Sequence, residues 1–147
     1  EYVDVLGLDD YWDIDQPLEG PDAAAPAERH GKFVSILTCA GRLARERGKL
    51  AAATEVGSPR EFAAAFGDDP ATPWTAFMLS AATANEDTRR VLWYLPWRNS
   101  PEAVDGGAYG TPAPGSPYAE DFRRFVRDDF MRLADTVPAW RGNDGND

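Results

Sequence analysis

The sequence predicts an α/β protein in which parallel strands are covered by helices. Apolar runs of strand length alternate along the chain with longer stretches of helical periodicity. Clusters of glycine and proline separate these segments. The 147 residues, 43% of them hydrophobic, suffice for the core of one domain. Because the segments follow the order β-α-β-α-β-α, we expect neighbouring strands to be parallel.

The first half of the chain contains two of the strands and the helix between them. Residues 2–8 (YVDVLGL) are apolar and rich in β-branched side chains, which predicts a buried strand. Residues 29–47 carry apolar side chains at helical spacing, and Gly48 is placed to end that helix. Residues 49–54 (KLAAAT) follow at once, and Ser58-Pro59 opens a new helix. We therefore interpret residues 49–54 as a strand of small side chains.

The second half repeats this alternation. Thr72-Pro73 predicts a helix start, and the helix that follows places Trp74 on its apolar face. Residues 91–97 (VLWYLPW) predict the third strand, in which Trp93 and Tyr94 are expected to lie in the core. Ser116-Pro117 opens the last helix.

Composition excludes several classes of function. The formal net charge of −10 argues against binding to nucleic acid or to anionic lipid, since both need a basic surface. No apolar run approaches the roughly 20 residues of a membrane-spanning helix. The chain has one cysteine and one histidine, which excludes an internal disulfide, a cysteine-built zinc site and a multi-histidine metal site. No metal and no organic cofactor is predicted.

Polar and aromatic residues concentrate where each predicted strand ends. Asp9 and Asp10 follow the first strand, Glu55 follows the second, and Trp97 ends the third. In parallel α/β folds, ligands bind at the carboxyl ends of the strands. Carboxylates supply the acid, base or nucleophile of sugar cleavage, and aromatic rings stack on sugars. These residues predict carbohydrate chemistry, with Glu55 paired with either Asp9 or Asp10.

Four segments in this order resemble the C-terminal half of glycoside hydrolase family 26, namely EYVDVLGLDDYWDI, RERGKLAAATEVG, VLWYLPWRNS and SPYAEDFRRFVRDDF. The resemblance implies a (β/α)8 barrel, of which this chain supplies about the last three βα units. Residues 1–137 would form this part of the catalytic domain, and residues 138–147 would form a polar tail. A complete barrel needs about 250 residues, so the N-terminal half of the same barrel is an expected partner.

The resemblance also implies a role for individual residues. Glu55 occupies the family's nucleophile position, and the acid/base glutamate belongs to the N-terminal half. Asp9 and Tyr11 correspond to residues that support the nucleophile and the sugar beside it, so the resemblance makes Asp9 a supporting residue. Trp97 corresponds to the tryptophan that floors that subsite, and Arg98 to an arginine that reaches the next sugar.

The activity that the resemblance implies is that of a retaining endo-β-1,4-mannanase, acting on β-mannan or galactomannan without a cofactor. The alternatives are a β-1,3-xylanase or a mixed-linkage β-glucanase of the same family, or a non-catalytic sugar-binding relic of the fold. The composition fits a secreted bacterial enzyme whose signal peptide is not within this chain. One departure from the family pattern is that Val56 follows Glu55 where the family has threonine.

Overall fold

A computed structural model describes residues 2–11, 25–57, 73–97 and 111–133 of the chain. Within them, a sheet of three parallel strands has the order β1-β2-β3. The strands are β1 (Val5–Asp10), β2 (Leu50–Val56) and β3 (Val91–Pro96). The prediction of an α/β fold with a parallel sheet is confirmed. The first two strands extend two residues further towards their carboxyl ends than predicted, so Asp9, Asp10 and Glu55 lie inside strands.

Helices alternate with the strands as the periodicity predicts. They are α1 (Pro26–Arg47), a π-helical segment (Trp74–Leu79) that continues into α2 (Ser80–Ala82), a 3-10 turn (Thr88–Arg90) and α3 (Ala119–Arg127). The helix predicted from Ser58 and the tail at 138–147 lie outside the described residues. None of the described helices has the length and apolar character needed to span a membrane.

The end of α1 follows directly from its sequence. Gly48 adopts a left-handed conformation (φ 60°), which lets its amide donate to the carbonyl oxygens of Ala44 and Arg45. Because the chain reverses there, β2 begins only two residues later at Leu50.

The core lies between the sheet and the helices. Small side chains on β2 leave room for α1, since Ala51 and Ala53 are fully buried and pack with Phe33 and Leu37. Trp74 is also buried, as the helical periodicity predicts. The core cluster comprises Phe33, Leu37, Ala44, Ala51, Ala53, Val56, Trp74, Phe77, Met78, Ala81, Val91 and Phe125.

One core prediction is wrong. Trp93 is 42% exposed, although Tyr94 packs against the core as predicted. Val91 pairs with Ala51 and Tyr94 with Ala53, so β3 contains one more residue than β2 over this interval. This register shift leaves both Leu92 and Trp93 outside the core.

Candidate active site

The carboxyl ends of the three strands lie together at one edge of the sheet. The Gly57 amide donates to the Asp10 carbonyl oxygen (3.3 Å), which joins the ends of β1 and β2. The Trp97 amide donates to the Val56 carbonyl oxygen (3.4 Å), which joins β2 to the end of β3. The structure therefore brings Asp9, Glu55 and Trp97 to the same end of the sheet, as expected for parallel neighbours.

Glu55 is held by a tyrosine from the neighbouring strand. The Tyr11 hydroxyl donates to Glu55 Oε2 at 2.9 Å, and both side chains are partly buried. Tyr11 directly follows β1, while Glu55 is the penultimate residue of β2. The bond therefore crosses between strands and orients the carboxylate at the sheet edge.

The register between β1 and β2 decides which aspartate lies beside Glu55. Leu8 pairs with Ala53, and the next pair along β1 is Asp9 with Glu55. Asp10 instead pairs with Val56 and is only 6% exposed, whereas Asp9 is exposed. Of the two aspartates that the sequence left open, Asp9 is the register partner of Glu55.

Thr54 is a member of this cluster that the sequence reasoning missed. Its hydroxyl oxygen lies 2.8 Å from Asp9 Oδ1 and 3.0 Å from the Leu8 carbonyl oxygen, so its single proton can be donated to either acceptor. The sequence feature that could have identified Thr54 is that it carries the one hydroxyl group in the segment LAAATEV, directly before Glu55.

Trp97 presents an open aromatic surface at the same edge. Trp97 is 51% exposed, although its backbone amide donates a hydrogen bond to β2. An exposed indole can stack on the apolar face of a sugar ring. Arg98, the other binding residue expected here, lies outside the described residues. The described part of the chain holds no cluster of three or more histidine, cysteine or acidic side chains suited to a metal ion.

Chemically, this edge offers an oriented carboxylate, a neighbouring carboxylate and an aromatic platform. A carboxylate held by a hydrogen-bond donor can serve as a nucleophile towards a sugar, while carboxylate and hydroxyl groups can bind sugar hydroxyls.

The sequence matches no protein-family model. Among solved structures, the chain is similar to a double mutant of the Cellulomonas fimi endo-β-1,4-mannanase, with 30% identity, a TM-score of 0.66 and coverage of 93% of this chain and 27% of that chain. GH26C from a Muricauda species gives 29% identity, a TM-score of 0.67 and coverage of 93% and 32%. The resemblance to glycoside hydrolase family 26 is confirmed.

A more distant neighbour supports the fold alone. It is a GH26 β-mannanase from Bacteroides ovatus, with 22% identity, a TM-score of 0.66 and coverage of 99% of this chain and 36% of that chain. The family 26 neighbours are barrel enzymes. The chain spans only about a third of the length of these neighbours.

Proposed function

We propose that this chain is the C-terminal part of the catalytic domain of a retaining endo-β-1,4-mannanase. Residues 1–137 supply about the last three βα units of a (β/α)8 barrel, and an N-terminal half supplies the others. The observation that carries the proposal is the Tyr11–Glu55 hydrogen bond (2.9 Å) at the strand ends, with Asp9 in register beside it. The Cellulomonas fimi neighbour is an endo-β-1,4-mannanase, which supports the choice of substrate.

In the proposed reaction, Glu55 attacks the anomeric carbon of the sugar bound at the strand ends. The Tyr11 hydroxyl holds Oε2, so the carboxylate keeps one orientation while a C–O bond forms between glutamate and sugar. An acid/base glutamate of the N-terminal half protonates the departing glycosidic oxygen. The same residue then deprotonates a water molecule, which displaces Glu55 and releases the sugar with retained configuration.

The other predicted residues bind the polymer. Trp97 stacks on the sugar beside Glu55, Asp9 accepts hydrogen bonds from that sugar, and Arg98 reaches the next sugar along the chain. The substrate is β-mannan or galactomannan. The composition fits a secreted bacterial enzyme, and we propose that localisation.

Exposed apolar side chains around the described sheet support an incomplete barrel. Within the described residues, large apolar side chains are exposed on or next to the strands, at Leu50, Leu92, Trp93 and Leu95. Closed barrels bury both the interior face and the outer edges of such a sheet. An N-terminal half that completes the barrel accounts for this surface.

The test uses the assembled enzyme, meaning this chain together with the remaining βα units. We expect Glu55→Ala to lower kcat on mannan by at least about a thousandfold, because the nucleophile is lost, while mannan-oligosaccharide binding is retained. Azide should restore turnover and give a glycosyl azide of inverted configuration, since the small anion attacks from the vacated position. Glu46→Ala, which removes an exposed glutamate of α1, is the matched control and should leave kcat unchanged.

Each alternative result contradicts a defined part of the proposal. An azide product of retained configuration would make Glu55 the acid/base residue. Unchanged hydrolysis in Glu55→Ala would remove Glu55 from the mechanism. Faster cleavage of β-1,3-xylan or mixed-linkage β-glucan than of mannan would contradict the assignment of mannan as the substrate. Binding of these polysaccharides without cleavage of any of them would identify a sugar-binding relic.

A further inference from the structure

We infer that Thr54 is a positioning residue, which fixes Asp9 beside Glu55 through a β-bulge and a side-chain hydrogen bond. The inference rests on the proposed function, in which Asp9 binds the sugar that Glu55 attacks. Three independent features of the described residues support it, namely the register of the strands, the contacts of the Thr54 hydroxyl and the space above Gly7.

The first feature is the bulge itself. An unshifted register from the Leu8–Ala53 pair would place Asp9 opposite Thr54 and Asp10 opposite Glu55. The observed pairs are Asp9 with Glu55 and Asp10 with Val56, so Thr54 is the extra residue on β2. Because strand side chains alternate between faces, one extra residue changes which aspartate lies beside Glu55. The bulge therefore selects the exposed Asp9 over the buried Asp10.

The second feature is the hydroxyl group of the bulged residue. It lies between the backbone of Leu8 (3.0 Å) and the carboxylate of Asp9 (2.8 Å), at the step where the register shifts. Threonine is stiff about χ1, so the position of its hydroxyl is well defined. Asp9 is otherwise an exposed side chain with freedom to change rotamer. A bond to Oδ1 restricts that freedom and sets the direction in which the other carboxylate oxygen points.

The third feature is the absence of a side chain at position 7. A Cβ atom added at Gly7 would lie 2.8 Å from both Cγ2 and Oγ1 of Thr54. Heavy atoms at that distance overlap, so an alanine at position 7 would displace the Thr54 side chain. Glycine at this position leaves the space that Thr54 occupies when it reaches Asp9.

The experiment measures kcat and KM of the assembled enzyme in a double-mutant cycle. We expect Thr54→Val, which keeps the shape but removes the hydroxyl, to lower kcat/KM about tenfold, the size of one lost hydrogen bond. Thr54→Ser should stay within about threefold of the parent, because it keeps the donor. In an Asp9→Ala background, which removes the acceptor of the Thr54 hydrogen bond, adding Thr54→Val should lower kcat/KM by less than about a further twofold, since its effect passes through Asp9.

Two further variants test the geometry against matched controls. Gly7→Ala should reproduce the Thr54→Val loss, whereas Gly31→Ala, on an exposed turn of α1 with no neighbouring atom within 4 Å, should not. Thr83→Val is the control for threonine, because its hydroxyl bonds only locally to the Leu79 carbonyl oxygen (2.7 Å). It should leave kcat/KM unchanged.

The inference is overturned if the losses of transition-state stabilisation caused by Thr54→Val and Asp9→Ala are additive in the double variant, or if Thr54→Ser is as impaired as Thr54→Val. A Thr54→Val enzyme with a lowered Tm and unchanged kcat/KM would also overturn it, because Thr54 would then only stabilise the sheet. These outcomes are distinct from a failure of the proposed function, which appears as unchanged hydrolysis in Glu55→Ala.

Discussion

Trp97 illustrates what a single residue contributes at the strand ends. About half of its surface (51%) is exposed, so removing the ring costs little packing within this chain. If the ring stacks on the sugar, Trp97→Ala should lower kcat/KM about a hundredfold, which corresponds to a loss of a few kcal/mol of transition-state stabilisation. The Tm should change little. Trp74→Phe, which alters a core tryptophan that is only 1% exposed, should show the opposite pattern.

Kinetic assays and thermal unfolding of both variants in the assembled enzyme check this prediction. A large fall in Tm with intact kcat/KM for Trp97→Ala would contradict the subsite role and assign Trp97 to packing.

His30, the one histidine of the sequence, is expected to make the stability depend on pH. Its Nε2 lies 2.8 Å from Ser80 Oγ and its ring packs edge-on against Phe77. Burial lowers the pKa of His30 below its usual value of 6.5 in the folded state. The unfolded chain therefore binds a proton first, and stability is lost as the pH falls below about 6.5 towards the folded-state pKa.

We expect the free energy of unfolding of the parent protein to decrease when the pH is lowered from 7 to 5. The decrease should be smaller in the His30→Gln variant. Glutamine keeps a donor for Ser80 but does not titrate. Urea unfolding of the parent and the variant at both pH values measures the difference, and identical decreases would contradict the assignment to His30.

At the scale of elements, α1 is held against the turn before β3 by close backbone approach. A Cβ atom added at Gly41 would collide with the Asp87 carbonyl oxygen. Gly41→Ala should therefore destabilise the protein by about 1–3 kcal/mol, because helix and turn must move apart. Gly31→Ala, on the same helix but in open space, should stabilise it by up to about 1 kcal/mol through helix propensity.

Chemical denaturation of the two variants beside the parent tests this contrast. Equal effects of both substitutions would show that helix propensity, and not contact with Asp87, decides the outcome at Gly41.

Elements of local origin could be predicted from the sequence, and features of strand pairing could not. Helix α1 ends at Gly48 because glycine readily adopts the left-handed conformation, and this can be predicted from the local sequence. The strand ends could be located as well, which placed Glu55 and Trp97 at one edge. The bulge at Thr54 and the shift that exposes Trp93 arise from the alignment of strands distant in sequence. For the same reason, the choice between Asp9 and Asp10 needed the register.

For the whole molecule, the decisive feature is that both edges of the sheet are open within the described residues. Its order, β1-β2-β3, leaves one edge of β1 and one edge of β3 without a described neighbour. β3 also carries exposed apolar side chains at Leu92, Trp93 and Leu95. In the proposed barrel, the remaining βα units pair with both edges and cover the interior face.

These open edges connect the folding of the proposed enzyme to its solubility. Unpaired strand edges with apolar side chains are the surfaces through which chains aggregate and which chaperones recognise. Closure of the proposed barrel removes those surfaces in the same step that brings the acid/base glutamate to Glu55. In the proposed enzyme, we therefore expect substitutions at the edges of β1 and β3 to affect both sugar cleavage and solubility, even where the residues contact no substrate.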